Sequence, residues 1–300
     1  MRKITIITDS CSDLNSEIRR KYNIDYLEMR ILFENKDIPA SLDWEHIPAK
    51  TFYDEMRSGT MFKTSQAIKE QYYDKFEEEI KKGNDVLSIS CSSALSSSYY
   101  GSIKACEELK EKYPDAKVFC VDSRNSSLGL GLMCIDASMM RENGKTVEEI
   151  FEYLEAHKQE VNQIGTVEDL AYLKRAGRVT AASAVFGSLL KIKPLIISDT
   201  LGQNVAVKKV RGRAASLKAI VEMVKETYDN PDNKMLGISH ADCLAEALEL
   251  KNMIIESVPA TQKCEFLIDY IGPIVGASVG PGTVIVYYYG KEVTFCSNEK

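Results

Sequence analysis

Short apolar runs alternate with helical patterns through the first half of the chain. Ile4 to Thr8 is an unbroken β-branched run and reads as a strand, Leu14 to Tyr22 has helical spacing, and Tyr26 to Phe33 is a second extended run. Pro48 suits a helix start, so helices are expected at Ala49 to Arg57 and Ala67 to Lys82. A strand follows at Asp85 to Ser90, a helix at Ser96 to Tyr113, a strand at Lys117 to Asp122, and helices at Leu128 to Glu142 and Val147 to Glu155. Parallel neighbours need a long, usually helical crossover, so this alternation predicts an α/β fold with a parallel, doubly wound sheet and helices on both faces.

The second half has a different rhythm. Extended runs at Lys193 to Ser198, Asn204 to Arg211, Met235 to Ser239, Cys264 to Ile268 and Thr283 to Tyr289 surround few helices, the clearest being Ala214 to Thr227 and Leu244 to Ser257. Val205, Val207 and Val210 with Lys208, Lys209 and Arg211 interleaved give the imperfect alternation of a half-exposed antiparallel strand. An α+β domain with a mixed or antiparallel sheet is expected. Glu160 to Gln163 interrupts the helical pattern, which sets the expected domains at residues 1–160 and 161–300. No Pro/Gly-rich linker separates them, so they are expected to pack together.

Composition narrows the function. The 300 residues carry 38 Lys and Arg against 44 Asp and Glu, a net charge of −6, which offers no global attraction to a phosphate backbone and argues against nucleic acid. No apolar run reaches the length of a membrane span, and the start lacks a signal-peptide core, so a cytoplasmic protein without stable membrane insertion is expected. The eight cysteines form no CxxC, which argues against a zinc site or a disulfide framework and for free thiols. Cys11 and Cys91 lie in Ser-rich loops and read as small loop or core residues rather than reactive thiols.

In an open parallel sheet the ligand crevice lies beyond the carboxyl ends of the strands. Here those ends are rich in hydroxyls: Thr8-Asp9-Ser10-Cys11-Ser12-Asp13, the run Ser90 to Ser98, and Asp122-Ser123, with Lys63-Thr64-Ser65-Gln66 before a helix. Short polar side chains and free N–H groups at a helix start can hold a carboxylate or phosphate. Ser12, Asp13, Ser123 and Ser126 read as ordinary caps, whereas Thr64 and the Ser92 to Ser98 run supply more hydroxyls than capping needs. Asp9 and Asp122 alone are weak evidence for a metal.

Catalytic motifs are largely missing. There is no phosphate loop, GxGxxG, HExxH or GxSxG elbow, and Gly129-Leu130-Gly131 matches only a fragment of a dinucleotide loop. Of three histidines, only His240 sits at a strand end beside an acid, Asp242, so a hydrolase or phosphotransferase using Ser96 and the Ser-rich crevice is the alternative reading. Two basic segments stand out, Lys174 to Arg178 and Lys208 to Arg213. Arg211 and Arg213 precede a helix start, where cations oppose the dipole, and this marks Arg211 as a candidate anion contact. Apolar material runs through Ala184 to Leu190, and Gly272 to Gly282 has glycines and prolines that let backbone approach something closely.

Across nearly its whole length the chain resembles the DegV family of bacterial fatty-acid-binding proteins. The resemblance rests on Thr8-Asp9-Ser10 with Asp13-Leu14, Thr64-Ser65-Gln66, Ser92-Ser93-Ala94-Leu95-Ser96, Val121-Asp122-Ser123, Leu170 to Arg178, Ile192-Lys193-Pro194 and Gly280-Pro281-Gly282, in the family's order. It implies a two-domain protein with a long-chain fatty acid buried between the domains and its carboxylate held at Thr64 and Ser96. It also implies a lipid-binding protein rather than an enzyme, without a cofactor, some members passing the fatty acid to a separate kinase for phospholipid synthesis. The expected ligand contacts are therefore Thr64, Ser65, Ser96, Ser97, Arg211 and Ser278, with Phe186, Leu189, Leu190, Ile274 and Val275 along the acyl chain. Members that work with the kinase look to carry a His where this chain has Ser278, and the family's Leu-Ser-Gly-Thr is Leu95-Ser96-Ser97-Ser98 here.

Overall fold

The computed structural model describes residues 2–179, 192–232 and 234–297. The first sheet is built from β1 (Ile4–Asp9), β2 (Ile24–Leu27), β6 (Asp85–Ser90) and β7 (Val118–Asp122), in the order β2-β1-β6-β7 with every pair parallel. The apolar runs Ile4 to Ile7 and Val86-Leu87 are buried along their length, as expected for strands covered on both faces. Helices α3 (Lys69–Lys81) and α4 (Ser98–Lys112) pack together against β6, while α5 (Leu128–Glu142) and α6 (Val147–His157) pack together against the same strand.

The expected extended run at Tyr26 to Phe33 is in fact two strands. The Ser10 N–H donates to the Leu27 carbonyl at 3.2 Å, and the Ser10 Oγ accepts from the Met29 N–H at 2.9 Å. These bonds pin the chain as it leaves the parallel sheet. It then forms β3 (Arg30–Phe33), which lies between β4 (Lys36–Pro39) and β5 (Lys63–Ser65) in a small antiparallel sheet.

The second large sheet has six strands: β8 (Val161–Thr166), β9 (Ile192–Ser198), β10 (Asn204–Arg211), β11 (Leu236–His240), β12 (Phe266–Tyr270) and β13 (Val284–Tyr289). Their order is β10-β9-β8-β13-β11-β12, antiparallel except for β11 and β12. The mixed α+β character expected for the second half is therefore present. Strand β8 gave no sequence signal because Val-Asn-Gln-Ile-Gly-Thr does not alternate, yet it is fully buried between β9 and β13. Helices α8 (Arg213–Thr227) and α9 (Leu244–Ser257) pack together beside this sheet.

Helix α5 joins the two halves. It touches β1 and β6 of the parallel sheet and β8, β11 and β13 of the mixed one. Every residue from Leu128 to Ser138 is buried, the signature of a helix with no solvent face. The Gly129-Leu130-Gly131 fragment thus belongs to an interior helix and not to a dinucleotide loop. Near its end Asp136 meets the ammonium of Lys234 at 2.6 Å, and that ammonium also lies 3.9 Å over the Tyr289 ring, a link between the halves.

Candidate functional site

The floor of the site is made where β1 and β6 end. The Asp9 carboxylate accepts from the Cys11 N–H at 2.9 Å and from the Cys91 N–H at 3.0 Å, so one side chain clamps both turns. Burial pushes its pKa up, against the pull of those two N–H donors. Asp122, at the end of β7, accepts from the Ser93 N–H at 3.0 Å and the Ser93 hydroxyl at 2.6 Å. Both acidic strand ends are committed to shaping loops.

Hydroxyls form the rim. Thr64 and Ser65 sit half-buried on β5, which is registered on β3 through Ile31 opposite Thr64. Ser96 and Ser97 stand at the start of α4, with the Ser96 Oγ 2.9 Å from the Ser98 Oγ and accepting the Ser98 N–H at 3.2 Å. The segment whose glycines and prolines were expected to let backbone approach something closely forms helix α10 (Pro273–Val279). Ile274 and Ser278 are four residues apart and share one face of it, and both line the cavity, as does Val275. Gly276 is required by the packing against α2 (Ala49–Arg57): a Cβ there would stand 2.5 Å from the Tyr53 hydroxyl, which itself donates to the Ile271 carbonyl at 2.6 Å.

Between floor and rim lies a cavity of about 530 Å³, within the usual range for small-molecule sites. Its polar lining includes Thr64, Ser65, Ser96, Ser97, Ser278 and Arg178, and its apolar lining Met29, Ile274, Val275, Val279 and Ile285. Among the described residues the side chains of Thr64 and Ser278 have no hydrogen-bond partner. A second space of about 320 Å³ shares Thr64, Arg178 and Ser278 with the first, so these three stand between the two.

Arg178 is the cation that lines both spaces. Helix α7 (Leu170–Ala176) ends on Gly177 in the left-handed region at φ 66°, which turns the chain so that the next residue leaves the helix. The Arg178 Nε donates to the Leu95 carbonyl at 3.1 Å, and its own carbonyl accepts from the Asn204 Nδ2 at 3.1 Å. Gln163 Nε2 in turn donates to Asn204 Oδ1 at 2.9 Å, and both amides line the cavity. The basic run Lys174 to Arg178 was visible in the sequence, but nothing in it singled out Arg178.

Arg211, also expected as a ligand contact, does not line this cavity. It occupies the last position of β10, exposed and opposite Ile192, and lines neither space. Asn204, at the other end of that strand, is the β10 residue at the cavity, and seven steps at about 3.3 Å each put the two about 23 Å apart along it. The awkward cation at the start of α8 is Arg213, whose guanidinium meets Glu246 of α9 at 2.6 Å. Phe186, Leu189 and Leu190 lie outside the described residues. The Ser96 and His240 pairing is not assembled, because His240 is buried against the Tyr270 ring at 4.6 Å and does not line the cavity that holds Ser96.

The sequence model of the DegV family, described as an uncharacterised protein of that family, matches residues 3–291. The chain belongs to the DegV family. A DegV domain-containing protein of Clostridium perfringens is 38% identical over 290 residues, covering 97% of this chain and 98% of the relative. A DegV lipid-binding protein of Thermotoga maritima has 28% identity and a TM-score of 0.82, covering 97% of this chain and all of that one. A DegV family protein of Thermus thermophilus, described by its fatty acid binding, has 26% identity and a TM-score of 0.83 over 97% of this chain and 100% of its own. The DegV arrangement of a parallel-sheet half and a mixed-sheet half is therefore the fold of this chain. Among the described residues no helix is long and apolar enough to cross a membrane.

Proposed function

We propose that the chain binds a long-chain fatty acid and presents its carboxylate to a separate fatty acid kinase for phospholipid synthesis. The carboxylate is placed at Thr64, Ser65, Ser96, Ser97 and Ser278, and the acyl chain runs along Ile274 and Val275. Residues 1–160 supply most of the head-group hydroxyls, and residues 161–300 close over the chain. The observation that carries this reading is a single cavity whose lining combines hydroxyls and an arginine with the aliphatic side chains of Ile274, Val275, Val279 and Ile285. Such a lining suits one carboxylate joined to an alkyl tail.

The energetics agree with this. Burying about 15 methylenes at roughly 0.8 kcal/mol each gives about 12 kcal/mol gross, enough to exceed typical association costs. The start of α4 adds N–H dipoles that favour an anion beside Ser96. Thr64, Arg178 and Ser278 also face the second space, and this reading assigns the partner's approach to the head group to that side. This geometry supports presentation to a partner, with the phosphotransfer chemistry supplied there.

Competition by displacement of a fluorescent fatty acid from delipidated protein tests the reading. Palmitate and oleate are expected to compete at one site per chain, and butyrate to fail because it buries too little apolar surface. Equal competition by butyrate and palmitate would remove the acyl-chain part of the proposal.

A further inference from the structure

The Ser-rich loops hold a pair of thiols that fatty-acid binding does not use. Cys11 and Cys91 follow β1 and β6, adjacent parallel strands, and the single Asp9 carboxylate binds both of their N–H groups. Their side chains line the same cavity. The thioether of Met29 completes a sulfur cluster, 3.5 Å from the Cys11 Sγ. Both cysteines are only 2% exposed, yet both line the main cavity, so a small reagent reaches them through it.

We propose that Cys11 and Cys91 form a reversible disulfide in the cavity wall when a hydroperoxide enters the cavity. The two turns are already drawn together by the one carboxylate that holds both N–H groups, and a disulfide here needs the two Cα atoms to come within roughly 4.4–6.8 Å of each other. The chemistry balances with hydrogen peroxide as oxidant. One sulfur attacks a peroxide oxygen, the O–O bond breaks, and the departing oxygen leaves as water, giving a sulfenic acid. The second sulfur displaces the hydroxyl as another water, and the S–S bond forms. Two thiols lose two electrons, and the peroxide gains them.

The surroundings set the rate. The Cys91 thiol and burial push the Cys11 thiol well up, and the nearby Asp9 and Asp13 carboxylates add to that. A protonated thiol is a poor nucleophile, so the pair stays reduced until oxidant is sustained. Closure ties the turn after β1 to the turn after β6 and stiffens the wall against which a ligand lies.

The test uses full-length reduced protein exposed to hydrogen peroxide, alkylated at the remaining thiols and digested without reductant. Mass spectrometry is expected to find the peptides holding Cys11 and Cys91 joined and two hydrogens lighter than their sum, and dithiothreitol is expected to separate them. Cys106 and Cys120 are further buried free thiols, so linkage is assigned by peptide and not by loss of free thiol alone. Recovery of Cys11 and Cys91 as separate alkylated peptides, or as separate sulfinic acids, overturns the proposal.

Discussion

Arg178 donates from its Nε to the Leu95 carbonyl at 3.1 Å, tying the segment after α7 to the Ser-rich loop before α4. The bond holds a permanent cation in a cavity lining that also includes Ser96 and Ser278. Replacing Arg178 with Ala is expected to weaken fatty acid binding by about 1–2 kcal/mol, as for loss of a charge-assisted hydrogen bond. Arg211→Ala, at the exposed end of β10, is expected to change it by less than about 0.5 kcal/mol. Displacement titration of the two variants side by side checks the assignment, and the reverse ranking would restore Arg211 to the site.

Thr64 lies on the small antiparallel sheet with its hydroxyl uncommitted among the described residues. Thr64→Ala is expected to cost about 1–2 kcal/mol of fatty acid affinity, the loss of one donor to an anion. Its urea midpoint is expected to stay near that of the parent, since no internal bond is removed. Lost affinity accompanied by an equal loss of stability would instead make Thr64 a folding residue.

Ser278 can donate a hydrogen bond but carries no charge. Ser278→His is expected to leave fatty acid affinity within about 1 kcal/mol while raising the rate of acyl phosphate formation in the presence of a bacterial fatty acid kinase and ATP. The two readouts separate binding from presentation. An unchanged phosphorylation rate would tell against a role for this position in transfer.

Glu79 joins α3 to β1 and offers a test by pH. Its carboxylate accepts from Thr5 Oγ1 at 2.7 Å, Asn84 Nδ2 at 2.7 Å and Lys82 Nζ at 2.8 Å. Burial pushes its pKa up, but these donors and the nearby Lys75 outweigh that and bring it from the ordinary 4.5 down to about 2. A depressed carboxyl contributes stability that is complete above its unfolded value and is lost as pH falls through its folded value. Glu79→Gln is therefore expected to be less stable than the parent at pH 7, by at most about 3 kcal/mol. Urea unfolding should show the gap closing as pH falls from about 4.5 towards 2, and a gap independent of pH would assign the loss to packing.

Much of this molecule was readable in advance, and the failures have physical causes. Ala49–Arg57, Asp85–Ser90, Leu128–Glu142, Asn204–Arg211 and Leu244–Ser257 fall where periodicity put them. Strand β8 was invisible because its neighbours on both sides, and not its own pattern, bury it. Helix α10 was hidden by its glycines and prolines, since Gly276 is there for the contact with Tyr53. At the site, Thr64, Ser65, Ser96, Ser97, Ser278, Ile274 and Val275 do line one cavity, because strand ends and helix starts converge in a parallel sheet. Arg178, Gln163 and Asn204 were missed because their place depends on how the mixed sheet meets the Ser-rich loop, which no local pattern encodes.

Mass spectrometry of the organic extract from protein expressed in bacteria and purified without detergent tests the central claim most directly. The account predicts a long-chain fatty acid at close to one per chain, reduced in the Thr64→Ala protein. An extract with no fatty acid, from protein that also fails to take up added oleate, would contradict it.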